Sequence, residues 1–315
     1  MTVQNPHDKF FRESFSRIEV ARNFLEEYLP YDVSAEIQLD TLSLQSESFV
    51  DETLREHQTD LLYQAYLSSG ETGYIYLLFE HKSYPDAEVA FQLLRYMVRI
   101  WTRMREDGQK LQPIIPIVIY HGERKWNVST DFQALFAHLP SALQDYTPQY
   151  HYLLRDFSHR SETELRGDLW LLTVLLVLRS ILSPTLSTQL PDIIKLAMKL
   201  MEQHNGLDFV YTILYYLSVG TDKVSRIELE DALEQYGSQG NQIMATLAQQ
   251  WVEEGIQQGI RQGIQQGKKD ALYTIARNLL PLMNDEQIHA VTNLPLKEIA
   301  QIRQVANRPN STPPQ

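Results

Sequence analysis

Three residues stand at a spacing that could hydrolyse a phosphodiester: Asp60, Glu80 and Lys82. Asp60 opens the apolar segment TDLLYQAYL (59–67), and Glu80-His81-Lys82 closes GYIYLLFEHK (73–82), with the polar turn SSGET between them. Both segments have strand character, so the pair predicts a hairpin. Side chains alternate along a strand, which puts Glu80 and Lys82 on one face. A turn near Gly70 pairs positions summing to about 140 and sets Asp60 opposite Glu80, with Cβ atoms ~5 Å apart. Two carboxylates that close repel, and a cation between them relieves the repulsion. Hard divalent ions such as Mg²⁺ take carboxylate oxygens and leave other positions to water and phosphate. Lys82 beside such an ion would orient the attacking water or stabilise charge in the transition state.

These residues need a scaffold, and the chain supplies the pattern of one. Apolar residues at helical spacing over 8–28 predict a leading helix. The segments EIQLDTLSL (36–44), 59–67 and 73–82 follow as strands, 86–106 as a helix, and PIIPIVIY (113–120) as a buried strand ending at His121-Gly122. Beyond about Arg160 the pattern turns helical, with breaks expected at Ser183-Pro184, Pro191 and Gly206. The expected division is 1–160 as an α/β domain, 161–250 as a helical extension, 251–269 as a glycine/glutamine repeat, 270–306 as a small helical hairpin, and 307–315 as a disordered tail. In the repeat, Gly255, Gly259, Gly263 and Gly267 recur every fourth residue beside Ile256, Ile260 and Ile264. The repeat fits a self-associating helical ridge or a flexible linker equally well.

Composition narrows the chemistry. No cysteine is present, which excludes thiolate metal sites and a cysteine nucleophile and leaves oxygen or histidine ligands. Lys and Arg number 28 against 40 Asp and Glu, a net charge of −12. Bulk electrostatics therefore oppose nucleic acid, and any binding needs a metal or a local basic patch. Residues 1–125 alone hold 13 basic and 20 acidic side chains, so the acidity includes the candidate domain. The helix at 86–106 offers the patch: at ~100° per residue, Gln92, Arg95, Tyr96, Arg99 and Arg103 share a sector of roughly 100°. Guanidinium forks there suit phosphate oxygens. The longest apolar run, LWLLTVLLVL (169–178), is short of the ~20 residues of a membrane span, and the start has no apolar signal region. A cytoplasmic protein with no membrane partner is the expectation.

The Asp…Glu-x-Lys spacing on a strand hairpin between two helices resembles the PD-(D/E)xK nuclease superfamily. More narrowly, His7-Asp8-Lys9-Phe10-Phe11, Ser48-Phe49-Val50-Asp51, Thr59-Asp60-Leu61-Leu62-Tyr63, Phe79-Glu80-His81-Lys82 and Tyr120-His121-Gly122 resemble the recombination-promoting nuclease/putative transposase (Rpn) family. The likeness covers roughly residues 5–220. It implies a restriction-endonuclease-like α/β core with a mixed sheet flanked by helices, followed by a helical C-terminal half. It implies a Mg²⁺-dependent DNA endonuclease, with Mn²⁺ or Ca²⁺ as substitutes, linked to RecA-independent recombination or mobile-element transfer. Asp60, Glu80 and Lys82 are then the catalytic set, with Asp60 and Glu80 on the metal. Thr59 departs from the superfamily's proline before the aspartate. Gln92 and Tyr96 match the QxxxY motif that some nucleases of the superfamily carry on the helix after the Glu-x-Lys strand.

Other readings stand beside this one. A cross-strand salt bridge from Lys82 is the bland account of the hairpin, and a solvated face that of the arginines. Asp8 reads either as a supporting site residue, with His7, or as a helix N-cap. Glu13 is a further candidate from the first helix, and His121 is either a site residue or a turn residue. His81 falls on the strand face opposite Glu80 and reads as packed, its carbonyl still within reach of a metal. The functional alternative is a non-catalytic, self-associating regulatory or transposition-linked protein working through its C-terminal half, a homo-oligomer in either case. A helix-turn-helix in the terminal hairpin is short of basic residues, with Lys297 and Arg303 the only ones in residues 284–304.

Overall fold

The computed structural model describes residues 5–45, 60–80, 85–158, 161 and 163–306, and among these the side chains of 76–80, 254, 258, 261, 305 and 306 are excepted. Lys82, His81, Thr59, the segment Ser48–Asp51 and the expected tail 307–315 lie outside the described residues. The chain divides into two compact units, Met1–Met244 and Ala245–Gln315.

The first unit begins with two helices rather than the one expected over 8–28: α1 (Pro6–Phe15) and α2 (Ile18–Tyr28), separated at Ser16-Arg17. A short turn, α3 (Tyr31–Ser34), leads to β1 (Ile37–Leu44), β2 (Leu61–Leu67) and β3 (Thr72–Glu80). Then come α4 (Val89–Glu106), β4 (Ile114–Tyr120) and β5 (Leu153–Asp156). The sheet runs β1-β2-β3-β4-β5. Its first three strands form an antiparallel meander, while β3, β4 and β5 are mutually parallel. α4 is the crossover that parallel strands require.

The pleat sorts side chains between the two faces. Leu62, Tyr74, Val118 and Tyr120 point to one side and pack with Val89, Leu93, Tyr96, Ile100 and Met104 of α4. On the other side the Tyr63 hydroxyl donates to the Phe15 carbonyl of α1, 2.5 Å away. Behind that face come α5 (Leu169–Ile181), α6 (Leu186–Leu200), α7 (Gly206–Val219) and α8 (Arg226–Glu234). The apolar run expected to be a buried helix is α5, and among the described residues no helix is long and apolar enough to cross a membrane. Pro191 does not break the chain as expected but sits inside α6. There its missing N–H deprives only one carbonyl, that of Ser187, of a helical partner.

The glycine repeat is helical throughout, within α9 (Gly237–Leu279). In the second unit its end packs with α10 (Asp285–Thr292) and α11 (Leu296–Ala306) around Ala276, Ile288, Leu294, Ile299 and Ile302. Asn284 and Gln287 form a reciprocal cap on α10. Arg303, one of the two basic residues of 284–304, is tied to Asp285 at 2.7 Å and to the Leu280 and Met283 carbonyls at 2.9 Å. It is therefore not presented to DNA.

Candidate active site

The β2–β3 hairpin closes through Ser68–Gly70. Leu67 N–H donates to the Glu71 carbonyl at 2.7 Å, Gly70 N–H to the Leu67 carbonyl at 2.9 Å, and Gly70 takes φ +82°. This is a three-residue loop whose last position is left-handed, which glycine alone adopts without strain. Its centre is Ser69, so the register sums to 138 and not 140: Leu61 faces Leu77 and Tyr66 faces Thr72. The expectation that Asp60 lies directly opposite Glu80 is thus corrected by one pleat. Asp60, one residue before β2, falls in line with Leu78. Along the ladder Asp60 is therefore displaced from Glu80 by two residues.

Asp60 falls on the α4 side, since it is two residues from Leu62. Tyr96 is only 4% exposed, and Gln92 Nε2 donates to its hydroxyl at 3.3 Å. Burial pushes the Tyr96 phenol above its usual range, and the Asp60 carboxylate adds to this; the Gln92 bond, Arg95 and Arg99 oppose it. One aspartate, one amide and two arginines thus act on the same phenol. Arg95 is exposed and Arg99 half-buried, while Arg103 is committed to Asp107 at 3.2 Å. Lys82 lies outside the described residues, as does the Glu80 side chain, and among the described residues no group of three or more histidines or carboxylates is arranged around a metal position.

The residues of α1 behave differently from expectation. Asn5 is the N-cap, accepting from His7 N–H at 3.1 Å, and Pro6 follows it. Asp8 is therefore not the cap but the third residue inside the helix. Glu13 is exposed beside Lys9 at 3.9 Å. His7 and His121 come together instead, ring centroids 5.5 Å apart, with His121 only 1% exposed. His121 follows Tyr120, which β-pairing sets beside Glu80.

Burial pushes the Asp8 carboxyl from 3.8 to about 6. The folded chain then holds this proton more tightly than the unfolded chain. The resulting stability is fully present below about pH 4, is lost as pH rises through the window up to about 6, and changes no further above it. Asp8→Asn, which cannot ionise, is expected to melt at a higher temperature than wild type at pH 8 but not at pH 4. An equal difference at both pH values in a thermal melt would remove Asp8 from this account.

Two residues of interest carry no local sequence signal. Asp156 ends β5 in line with Tyr120, its carboxylate accepting from Trp126 N–H at 3.0 Å and Ser158 N–H at 2.9 Å. Those bonds fix the chain after β4, a positioning task. Tyr216 of α7 places its hydroxyl oxygen 2.5 Å from His7 Nδ1 across 209 residues of sequence.

The chain is 40% identical over 119 residues to the recombination-promoting nuclease RpnC of Escherichia coli K12, covering 38% of this chain and 39% of that protein. It is 39% identical over 125 residues to recombination-promoting nuclease RpnD of Escherichia coli O157:H7, covering 39% and 48%. It is also 37% identical over 123 residues to the inactive recombination-promoting nuclease-like protein RpnE of Escherichia coli K12, covering 39% and 41%. These alignments span less than half the length of those relatives. No solved structure matches. The sequence model of the family described as "Putative transposase, YhgA-like" matches residues 5–208. With that match spanning well over half of the chain, the protein belongs to the recombination-promoting nuclease and YhgA-like transposase family.

Proposed function

We propose that the protein is a Mg²⁺-dependent DNA endonuclease of the PD-(D/E)xK type, acting in the cytoplasm in RecA-independent recombination or mobile-element transfer. The observation that supports this reading is the Asp60 carboxylate acting on the buried Tyr96 phenol, which Gln92 of α4 bonds at 3.3 Å, at the head of a hairpin whose other strand ends at Glu80. An all-oxygen donor pair suits Mg²⁺, with Mn²⁺ or Ca²⁺ as substitutes. When bound, the ion supplies water activation and charge neutralisation at the phosphate. Asp60 and Glu80 hold it. Tyr96 and Gln92 stand by Asp60, and Lys82 would balance developing charge. Arg95 and Arg99 contact flanking phosphates, with Arg103 reduced to a lesser role by Asp107. The nuclease names of relatives support the reading. Because RpnE is named inactive, the deciding experiment is cleavage of supercoiled, linear and single-stranded DNA with and without Mg²⁺, wild type against Asp60→Ala.

A second reading, self-association through the C-terminal half, is favoured by α9. Ile256, Ile260 and Ile264 are 56%, 51% and 54% exposed, and a Cβ added at Gly255, Gly259, Gly263 or Gly267 would meet nothing. An apolar stripe beside a glycine ridge fits a second copy of the same helix. Ile260→Glu in the full chain is expected to lower the mass measured by light scattering from oligomer to monomer. Equal masses would dismiss the ridge as the association element, and a wild type that cleaves no DNA would leave association as the whole function.

A further inference from the structure

The carboxyl end of β4 holds a polar cluster that the nuclease reading does not use. α1 enters there with His7 and Asp8 in its first turn. Beyond the contact between His7 Nδ1 and the Tyr216 hydroxyl, the two rings stand edge-on at 5.4 Å. Tyr216 also stacks on Phe10 at 4.2 Å, and Lys9 lies over the neighbouring Tyr215 at 5.0 Å. Two consecutive residues of α7 therefore grip the first turn of α1. On the other side of His7 is the buried ring of His121. Tyr216 is itself buried; burial, with the Asp8 carboxylate adding to it, keeps its phenol protonated.

Packing alone does not ask for this arrangement. A phenylalanine at 216 would stack on Phe10 equally well and would carry no hydroxyl to desolvate. What the hydroxyl adds is a bond at one imidazole nitrogen, and that bond holds the ring in its orientation. The location gives this consequence. β3 and β4 are parallel with Glu80 beside Tyr120, so His121 directly follows the β4 residue paired with Glu80.

We propose that Tyr216 is a positioning residue: its hydroxyl sets the orientation of the His7 ring, and the His7–His121 pair braces the strand end beside Glu80, making the helical extension part of the catalytic apparatus. The catalytic half of this statement rests on the nuclease reading; the half concerning His7 does not.

The test is Tyr216→Phe in the full chain, which keeps the ring and removes one oxygen. The nitrogen NMR signals of the His7 ring are expected to shift, because Nδ1 loses its contact with the Tyr216 hydroxyl. Turnover of plasmid DNA is expected to fall about tenfold or more with KM unchanged, while the melting temperature stays close to wild type. Unchanged ring signals would overturn the proposal, as would a loss of turnover that merely tracks a loss of folded protein. A cycle with His7→Gln guards against misfolding: the double variant is expected to be no slower than His7→Gln alone, and additive losses would refute the link. If the wild type cleaves nothing, the nuclease reading falls together with the catalytic half, and the ring signals alone decide whether Tyr216 positions His7.

Discussion

Asp60→Ala is expected to lower DNA cleavage by about a thousandfold or more while leaving the fold intact. The size of the effect follows from what the side chain is proposed to do. Half of a two-carboxylate site is removed, and the remaining carboxylate holds a divalent ion far less well. The fold survives because Asp60 precedes β2 and the ladder begins at Leu61, so no strand pairing is lost. Supercoiled plasmid incubated with Mg²⁺ gives the measurement, read as nicked and linear products. Wild type in EDTA should be equally silent. Cleavage by a clean Asp60→Ala preparation at the wild-type rate would sink the assignment. A second readout does not depend on activity. The Asp60 carboxylate raises the Tyr96 phenol, so its removal should lower the pH at which that phenol ionises.

Gly206→Ala is expected to be the most damaging single-methyl change in the helical extension. Gly206 opens α7 immediately after Asn205, which takes a left-handed φ of 59°. A Cβ at 206 would lie 1.6 Å from the Leu200 carbonyl oxygen and 2.5 Å from its carbon. Both are backbone atoms of the preceding helix, so neither can swing aside. The α6–α7 corner must open, pulling on Phe209, Ile213, Leu214, Tyr216 and Leu217, all of them buried. A loss of about 3 kcal/mol or more is expected, read from the urea midpoint. Gly259→Ala is the control, because its added methyl meets open space. That variant should strengthen its helix by about 1 kcal/mol. A Gly206→Ala protein as stable as wild type would mean that the corner is loose.

What could be read from the sequence was local. The hairpin was legible because alternation and a polar turn lie within twenty residues, and β4 because PIIPIVIY is apolar and bounded by prolines and His121-Gly122. The register was missed by one pleat because Gly70 was placed at the centre of the turn, whereas its positive φ belongs at the last loop position. The α1–α2 break was hidden by aromatic spacing that runs on past Ser16-Arg17. β5 was missed altogether: Leu153–Asp156 is four residues long, half-buried throughout, and becomes a strand only by pairing with β4. In the site, Asp60 with Gln92 and Tyr96 could be read from chain spacing. The His7–Tyr216 pair could not, because nothing near either residue in the sequence points to the other.

The two rims of the sheet constrain how copies of this protein can meet. β1 loses its regular pairing with β2 between Gln38 and Ser43, where Thr41 Oγ1 instead receives the Tyr66 N–H at 2.9 Å. β5, at the other rim, offers only four residues. A kinked border and a stub are poor templates for main-chain docking by another strand. Association by sheet extension is thereby disfavoured, which favours side-chain packing for contact between copies, a mode that single substitutions on a helix can switch off without touching the sheet.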